Sequence, residues 1–445
     1  PSFRLLRPRV VRLPFILTSA YPPEIVHNWL GNSVYPDYAS GNWSEGLTSY
    51  LADHLIQEQQ GRGERYRRSV LQKYADYVSD EKDFSLRQFR SRHNGASQAV
   101  GYGKTLMLFH MLRNQTGDLR FRQALRQFVQ NYRHKTAGFD DLRRTFEQVH
   151  GSSLEAFFKQ WVGREGAPEL EVAAVSVAEL GDGGYRVSGE LRQTQSGNHY
   201  ELQIPFAVTV KDQPEAIEEW VTMNSKRTRF ALDTKGQPLR LDVDPRFDLF
   251  RKLSNAELPP SLGQIFGASK LHLMVPAAAP ENERSAYLAL ARFWQQRYPH
   301  LTVGSDAEPL PKAGGVWLLG AGNRHASAVV TALQDDYLLA DPRARSLPLE
   351  QENGSSSGRA FVVTVRRGEE STLGWMVPDG AASAAALARK LPHYGKYSYL
   401  VFAGDDARNV VKAEWPALGS PLTRILVPEE QVTMGRLNEK PPLVH

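Results

Sequence analysis

The chain has 445 residues, of which 41% are hydrophobic and 23% are charged, a composition that supports about two to four globular domains. It contains no cysteine, which excludes disulfides and cysteine-ligated metals and leaves histidine and carboxylates as the available metal ligands. The apolar stretches are too short for a transmembrane helix, and no signal-peptide core is visible.

The formal net charge is +5, and it comes from arginines that are dispersed along the chain. The densest run comprises Arg62, Arg65, Arg67 and Arg68. No stacking aromatic residues alternate with this run in a recognisable module, so a solvated helix face is favoured over a nucleic-acid patch. We therefore expect no nucleic-acid partner.

The chain begins with Pro1 instead of methionine, so we expect a processed product or a fragment, with any signal sequence lying upstream. Residues 1–20 contain an apolar run of strand length, PRVVRLPFIL, which is interrupted by prolines. We expect this run to form a wall beside the segment that follows.

The segment PEIVH, from Pro23 to His27, matches four of the five positions of the H-E-x-x-H pattern. In that pattern two histidines one helical turn apart bind zinc, and the glutamate between them activates the metal-bound water. Glu24 and His27 keep the required spacing, but Pro23 has no lone pair for a metal. Since proline is tolerated only in the first turn, the helix should begin at about Pro22 or Pro23.

The residues after His27 read NWLGN and then NWSEG, with seventeen residues between His27 and Glu45. This set resembles the gluzincin zinc aminopeptidases of the membrane alanyl aminopeptidase type, whose segment reads roughly H-E-x-x-H-x-W-x-G-N and then W-x-x-E-G. In that family the gap is eighteen residues, and one residue fewer in a connecting loop is tolerable. His54 lies nine residues after Glu45, on the opposite helical face, so we do not expect it to replace a ligand.

Two later segments extend the resemblance over about 170 residues. Tyr102-Gly103-Lys104, followed by an apolar helix, is similar to the family's Y-x-K-G segment, in which the tyrosine hydroxyl stabilises the oxyanion. A buried tyrosine with a satisfied hydroxyl is the alternative. FFKQWVGREGAPELEV resembles the family's exit from its helical lobe into a β domain. Between the two, residues 118–165 predict three amphipathic helices.

The resemblance implies a zinc-dependent peptidase that acts on a peptide substrate. Glu24 would be the general base, His27 and Glu45 zinc ligands, and Tyr102 the oxyanion partner, with a third ligand expected where Pro23 stands. A catalytic zinc normally has three protein ligands, and this sequence supplies two. The family's substrate-anchoring G-x-M-E-N segment precedes the zinc motif and does not occur in this chain. The alternative is a metal-free pseudopeptidase that binds a peptide or protein ligand.

From Glu169 to about Val243 the hydrophobic period changes to two, with turn signals such as GDGG and SGN between the runs. This pattern predicts a small antiparallel β-sandwich. Asn255 to Ser269 is a plausible linker, and beyond it apolar strands alternate with helices, which predicts a mostly parallel sheet.

Two clusters in this last region can each be interpreted as a purely structural feature or as a functional site. Gly320-Ala321-Gly322-Asn323 follows a strand, but it lacks the third glycine of a dinucleotide motif, so a tight turn is favoured. The cluster from His393 to Tyr397 is explained equally well by ligand binding and by a surface loop. The sequence of this region shows no recognisable combination of a catalytic nucleophile and a general base. We therefore expect the C-terminal region to be a binding or docking module.

The sequence therefore predicts a multidomain α+β protein. Residues 1–165 would form part of a thermolysin-like catalytic domain with a mostly helical lobe, residues 166–253 a β-sandwich, and residues 254–445 a doubly wound α/β domain. The predicted function is zinc-dependent metallopeptidase of the aminopeptidase type, impaired by Pro23. The cell envelope or periplasm is the favoured location, and the oligomeric state is left open.

Overall fold

The computed structural model describes residues 21–181, 183–337, 358–368, 371–428 and 432–444. The apolar run predicted within residues 1–20 lies outside them. The chain forms two compact units, of which the first comprises Pro1–Ser254 with Ser420–His445 and the second Asn255–Gly419. Among the described residues, no helix is long and apolar enough to cross a bilayer.

The first unit begins with a helical region. Its α-helices are α1 (Tyr21–Val26), α2 (Ser44–Ser49), α3 (Leu55–Gln59), α4 (Gly63–Tyr77), α5 (Gly95–Gln98), α6 (Thr105–Thr116), α7 (Asp118–Tyr132), α8 (Phe139–His150) and α9 (Glu155–Gly163). π-Helical turns, Tyr50–His54 and Ala99–Lys104, connect α2 to α3 and α5 to α6. The three helices expected between residues 118 and 165 are α7, α8 and α9.

Trp43 fixes the start of α2 within this region. Its side chain is fully buried, its indole nitrogen donates to the Ala137 carbonyl at 2.7 Å, and its ring meets Phe128 edge-on at 5.3 Å. Ala137 belongs to the short strand β2 (Thr136–Ala137), which pairs in parallel with β1 (Tyr35–Pro36). The residue next but one to Trp43 is Glu45, so this packing also positions the carboxylate predicted to bind metal.

The rest of the first unit is built from antiparallel strands. They are β3 (Leu170–Glu179), β4 (Tyr185–Gln193), β5 (Leu202–Val210), β6 (Ile217–Met223), β7 (Arg227–Thr234), β8 (Pro238–Val243) and, much later in the chain, β16 (Thr423–Ile425). One sheet has the order β3-β4-β7 and the other β16-β8-β5-β6. Phe206 of one sheet and Phe230 of the other have ring centroids 4.8 Å apart.

The predicted C-terminal domain, residues 254–445, requires a correction at its end. Residues from Ser420 onward belong to the first unit. The reason is strand pairing, because β16 adds to the edge of β8 with Arg424 opposite Leu241. In addition, the backbone NH of Val172 donates to the Pro421 carbonyl at 3.1 Å. A division of the first unit between a helical domain and a β domain stays a prediction.

The second unit contains a seven-stranded sheet. Its strands are β9 (Leu271–Val275), β10 (Leu301–Ser305), β11 (Gly314–Leu319), β12 (Arg359–Arg367), β13 (Ser371–Val377), β14 (Tyr399–Ala403) and β15 (Arg408–Ala413), in the order β10-β9-β11-β13-β12-β14-β15. Its α-helices in the described part are α10 (Leu262–Gly267), α11 (Glu281–Gln295), α12 (Ala326–Ala332) and α13 (Gly380–Lys390).

The expectation of a mostly parallel sheet is wrong for half of this unit. The pairs formed by β10, β9, β11 and β13 are parallel, whereas those formed by β13, β12, β14 and β15 are antiparallel. A short connection explains the pairing of β14 with β15, since these strands are joined by a tight turn that begins at Gly404 with a φ of 74°. A turn of this length can join only antiparallel neighbours.

Helices cover both faces of this sheet. On one face Val316 and Leu318 pack in a cluster with Val329 of α12. On the other, Trp317 packs against Phe266 of α10 and Trp294 of α11, with ring centroids 5.3 Å apart in each pair. Successive residues of β11 thus point to opposite faces, and both are buried, as its almost wholly apolar sequence predicts.

Lys104 anchors the exit from the helical region of the first unit. Its side chain is fully buried, and its ammonium donates to the carbonyls of Arg164 at 2.7 Å and Gly166 at 3.2 Å. These carbonyls follow α9, on the path into β3. Burial lowers the pKa of Lys104 to about 8, although nearby acidic residues partly oppose this.

The Lys104 titration makes stability depend on pH. Between pH 8 and the ordinary pKa of 10.5, the unfolded chain holds a proton that the folded chain has lost, so stability rises with pH. In urea unfolding, the stability of the natural chain minus that of Lys104→Met should increase by about 3 kcal/mol across this range. Lys104→Leu, which removes the same proton with a different shape, should give the same increase. A difference that is constant with pH would contradict this account.

Candidate functional site

Helix α1 carries the P-E-x-x-H segment. Its described part covers Tyr21–Val26 and includes Pro22 and Pro23. The start of the helix at Pro22 or Pro23 stays a prediction. The backbone NH of His27 donates to the Pro23 carbonyl at 2.9 Å, so the two residues lie one helical turn apart. Glu24, which lies between them in the sequence, is half-buried. Its backbone carbonyl accepts a hydrogen bond from the Asn28 side-chain amide at 3.2 Å.

His27 is held in one orientation by its Nδ1 atom. Nδ1 lies 2.8 Å from the Leu30 carbonyl, and since that oxygen can only accept, Nδ1 carries the hydrogen. Thr48 Oγ1 lies 3.4 Å from the same nitrogen. The remaining ring nitrogen, Nε2, is the one that faces Glu45, and a histidine whose Nδ1 hydrogen is donated to a backbone carbonyl is an arrangement found in metal sites. Nε2 lies 3.6 Å from the Glu45 carboxylate.

Glu45 reaches this position because Gly46 allows its helix to pack closely. A Cβ atom at Gly46 would lie 2.3 Å from the Thr105 Cβ atom, closer than any two such carbons can approach. Helix α2 therefore packs on the start of α6 through bare backbone. This close approach explains why glycine must follow Glu45 in the N-W-S-E-G segment.

Tyr102 also meets Glu45, from the π-helical turn before α6. Burial acts to raise the pKa of Glu45, but hydrogen bonds from His27 and Tyr102 and the charges of His27 and Arg92 bring it below its ordinary value. Burial and the Glu45 carboxylate together raise the pKa of the Tyr102 hydroxyl. Tyr102 therefore stays protonated at neutral pH and donates its hydrogen to Glu45. Single π-helical turns occur frequently at functional sites.

The chain thus brings His27, Glu45 and Tyr102 together, with Pro23 one turn from His27. A metal ion fits this group only in part. His27 Nε2 and a Glu45 oxygen are two suitable donors, but the position that should supply the third holds Pro23. Within the described ranges no group of three or more histidine or carboxylate side chains could hold a metal ion. The residues present do not fit a catalytic zinc with three protein ligands.

His54 is engaged elsewhere, as its helical position predicts. It is fully buried, and its Nε2 atom lies 2.9 Å from Arg67 Nη1. Its ring stacks on Tyr50 at 4.8 Å. It is therefore part of the core of the first unit.

The sequence did not single out Thr48, the Leu30 carbonyl or Arg92. Thr48 lies one helical turn after Glu45, so the spacing could have indicated it. A backbone carbonyl and an arginine from a separate loop leave no comparable signal, because their approach depends on how distant parts of the chain pack.

In the second unit, the favoured interpretation of the Gly320 segment agrees with its contacts. The Asn323 amide donates to the carbonyls of Met274 at 3.0 Å and Leu319 at 3.3 Å. It thereby joins the ends of β9 and β11 and closes a turn at Gly320, which has a φ of 77°. In the cluster from His393 to Tyr397, the rings of Tyr394 and Tyr397 lie 5.9 Å apart.

Comparison with known proteins supports the resemblance to zinc aminopeptidases that the sequence indicated. A profile of the "Peptidase family M1 domain" matches residues 22–161. Residues 22–161 belong to peptidase family M1. This M1 domain contains Pro23, Glu24, His27, Glu45 and Tyr102, and the predicted resemblance to the gluzincin aminopeptidases is confirmed. Aminopeptidases of this family depend on zinc in general. The roles of the five positions in this chain stay predictions.

The relatives of the chain include two aminopeptidases of Saccharomyces cerevisiae. "Alanine/arginine aminopeptidase" is 23% identical over 47% of this chain and 25% of that protein. "Aminopeptidase 2, mitochondrial" is 24% identical over 36% of this chain and 17% of that protein. The chain thus spans about a quarter or less of their length.

A solved structure, Legionella pneumophila aminopeptidase A in complex with aspartic acid, is similar at 15% identity over 70% of this chain and 33% of that chain. Its TM-score of 0.36 is too low to support a shared fold.

The contact between Tyr102 and Glu45 can be tested by titration. In Tyr102→Phe the hydroxyl that helps to lower the Glu45 pKa is lost, so the pKa should rise. NMR detection of the labelled Glu45 carboxyl carbon would measure it. Tyr132→Phe removes a hydroxyl that contacts Asp141 instead, and it should leave Glu45 unchanged. The contact would be disproved by equal Glu45 pKa values in the natural chain and Tyr102→Phe.

Proposed function

We propose that the chain is part of an M1-type metalloaminopeptidase whose peptide-bond hydrolysis is impaired in this copy by Pro23. The observation that carries the proposal is the meeting of His27 Nε2 and the Glu45 carboxylate at 3.6 Å, with Pro23 one helical turn from His27. Two ligand positions of a zinc site are kept in a usable orientation, while the third lacks a donor atom.

Each residue has a proposed role. Glu24 would accept the proton of the attacking water, and Tyr102 would donate a hydrogen bond to the oxyanion that forms at the scissile carbonyl. The hydrogen bond from His27 Nδ1 to Leu30 would make Nε2 the metal-binding nitrogen, and a zinc held by His27 and Glu45 would supply Lewis-acid chemistry. The proposed location in the cell envelope or periplasm rests on the sequence resemblance alone.

The expected impairment follows from ligand number. Loss of a residue that merely orients a ligand typically lowers metal affinity or activity by about 10- to 100-fold, so loss of a ligand should cost at least as much. Glu45 is meanwhile engaged by Tyr102 and His27, and these contacts compete with binding of a metal.

Restoring the missing donor provides the test. Pro23→His places a second imidazole one turn from His27, and we expect the purified variant to retain about one zinc per chain by elemental analysis. Pro23→Ala is the matched control, since it removes the proline without adding a ligand, and it should retain no more zinc than the natural chain. Equal zinc content in Pro23→His and Pro23→Ala would refute the proposed zinc site.

A double variant separates zinc binding from hydrolysis. Pro23→His with Glu24→Gln should keep its zinc and lose any cleavage of an amino-acyl fluorogenic substrate that Pro23→His gains. Retention of that cleavage would show that Glu24 is not the base.

The second candidate is a metal-free pseudopeptidase that binds a peptide or protein ligand. The contacts that favour it are those of Glu45, whose carboxylate is engaged by the protein's own hydroxyl and imidazole groups. It predicts that the natural chain does not cleave an amino-acyl fluorogenic substrate, with or without added zinc. Cleavage by the natural chain that a chelator abolishes would rule this candidate out.

A further inference from the structure

A cavity of about 650 Å³ lies in the first unit, between the helices α6 and α9 and the strands β5 and β6. It shares no lining residue with the group formed by Pro23, Glu24, His27, Glu45 and Tyr102. Its volume falls within the usual range for sites that bind small molecules or a few residues of peptide.

The lining of this cavity combines apolar rings with negative charge. Phe157, Trp220 and Leu202 contribute apolar surface, and Glu201 and Asp248 contribute carboxylates, whereas no lysine or arginine is among the described residues that line it. A ligand that carries an apolar group and a positive charge would match both properties.

Asp248 is a preformed anion at the edge of the cavity. Its side chain is 1% exposed, and Oδ1 accepts from His110 Nε2 at 2.8 Å and from Arg67 Nη2 at 3.0 Å. Burial acts to raise the pKa of Asp248, but the Arg67 charge and the His110 hydrogen bond hold it well below its usual range. Asp248 is therefore ionised at neutral pH, and its second oxygen remains for another cation.

The chain itself shows which cation this position accepts. The ammonium of Lys440 lies 3.0 Å from Asp248 Oδ2 and 5.6 Å from the centre of the Trp220 ring. The Lys440 side chain is nevertheless 45% exposed, so it lies at the mouth and leaves the cavity unfilled. A carboxylate and an aromatic face together recognise an ammonium group by charge and by cation–π attraction.

The backbone around Lys440 is fixed by other contacts. The Asn438 NH donates to Glu218 at 2.6 Å, the Leu443 NH donates to Glu58 at 3.0 Å, and the Gln59 amide donates to the Val444 carbonyl at 3.1 Å. The Lys440 side chain can therefore leave Asp248 while its backbone stays bound.

We propose that this cavity binds a peptide segment in which a lysine is adjacent to a large apolar residue. The lysine ammonium takes the position of Lys440 between Asp248 and Trp220, and the apolar side chain enters the cavity beside Phe157 and Leu202. This binding is independent of the proposed hydrolysis, because it uses none of the residues of that site.

Lys440 acts as an internal competitor of such a ligand. While Lys440 occupies Asp248, the binding-competent fraction of the protein is small, and the apparent affinity is reduced by that fraction. Removal of the Lys440 charge should therefore tighten binding without any new contact to the peptide.

Calorimetric titration of the full chain with acetyl-Phe-Lys-amide tests the proposal. We expect Lys440→Met to bind this peptide at least tenfold more tightly than the natural chain. In that background acetyl-Phe-norleucine-amide, which has no ammonium, should bind at least tenfold more weakly. Trp220→Ala, added to Lys440→Met, should weaken binding of the lysine peptide by about three- to fivefold.

Lys252→Met is the matched control for removal of a lysine. Lys252 is 44% exposed and pairs with Glu169 at 2.9 Å, so its exposure and pairing distance are close to those of Lys440, but its partner Glu169 does not line the cavity. Lys252→Met should leave peptide binding unchanged. Lys440→Gln provides a second variant, and urea unfolding midpoints verify that each protein is folded.

Three results would overturn the proposal. The first is an absence of saturable peptide binding in the folded Lys440 variants. The second is equal affinity for the lysine and norleucine peptides. The third is an equal gain in peptide affinity in Lys440→Met and Lys252→Met. Because Pro23 and Glu24 are unchanged in all of these proteins, the outcome does not depend on whether the chain hydrolyses peptides.

Discussion

The first unit depends on a buried charge at Asp248, which follows the last long strand of its β region. Arg67 of α4 and His110 of α6 both contact this carboxylate, and the Arg67 side chain also donates to the carbonyls of Arg246 at 2.9 Å and Phe247 at 3.1 Å. Helices and strands from distant parts of the sequence are thereby joined at one point. Removal of one partner from such a buried pair typically costs about 3 to 5 kcal/mol, since the other charge is left uncompensated.

The same network determines the protonation of its neighbours. Burial and the Arg67 charge lower the pKa of His110 to about 3, so His110 is neutral and donates from Nε2 to Asp248. Its Nδ1 atom is then free to accept from the Tyr50 hydroxyl at 3.2 Å. Arg67, His110 and Tyr50 thus form one chain of contacts that ends at the Asp248 carboxylate.

The predictions from sequence succeed where the responsible contacts are local. The helices α7, α8 and α9 follow from amphipathic patterns, and the burial of β11 on both faces of its sheet follows from its apolar run. The approach of Glu45 to His27 could be expected only by resemblance, since its cause is the packing of Gly46 against Thr105, about sixty residues later in the chain.

Long-range pairing explains what the sequence did not predict. The return of β16 to β8 joins residues nearly two hundred positions apart, and nothing in the three residues of β16 indicates its partner. The antiparallel half of the second sheet was missed because fully buried strands have the same apolar pattern in either direction. The Lys440 contact with Asp248 is likewise invisible, because a lysine near a chain end usually indicates only solvent exposure.

The discontinuity of the first unit has a consequence for biosynthesis. Strand β16 and the segment that carries Lys440 leave the ribosome only after the whole second unit has been made. Until then the exposed edge of β8 is available to other chains, which is the condition under which nascent sheets aggregate or exchange strands. Rapid, self-contained folding of the second unit would shorten that interval, so the folding rate of this inserted unit bears on how much of the protein matures.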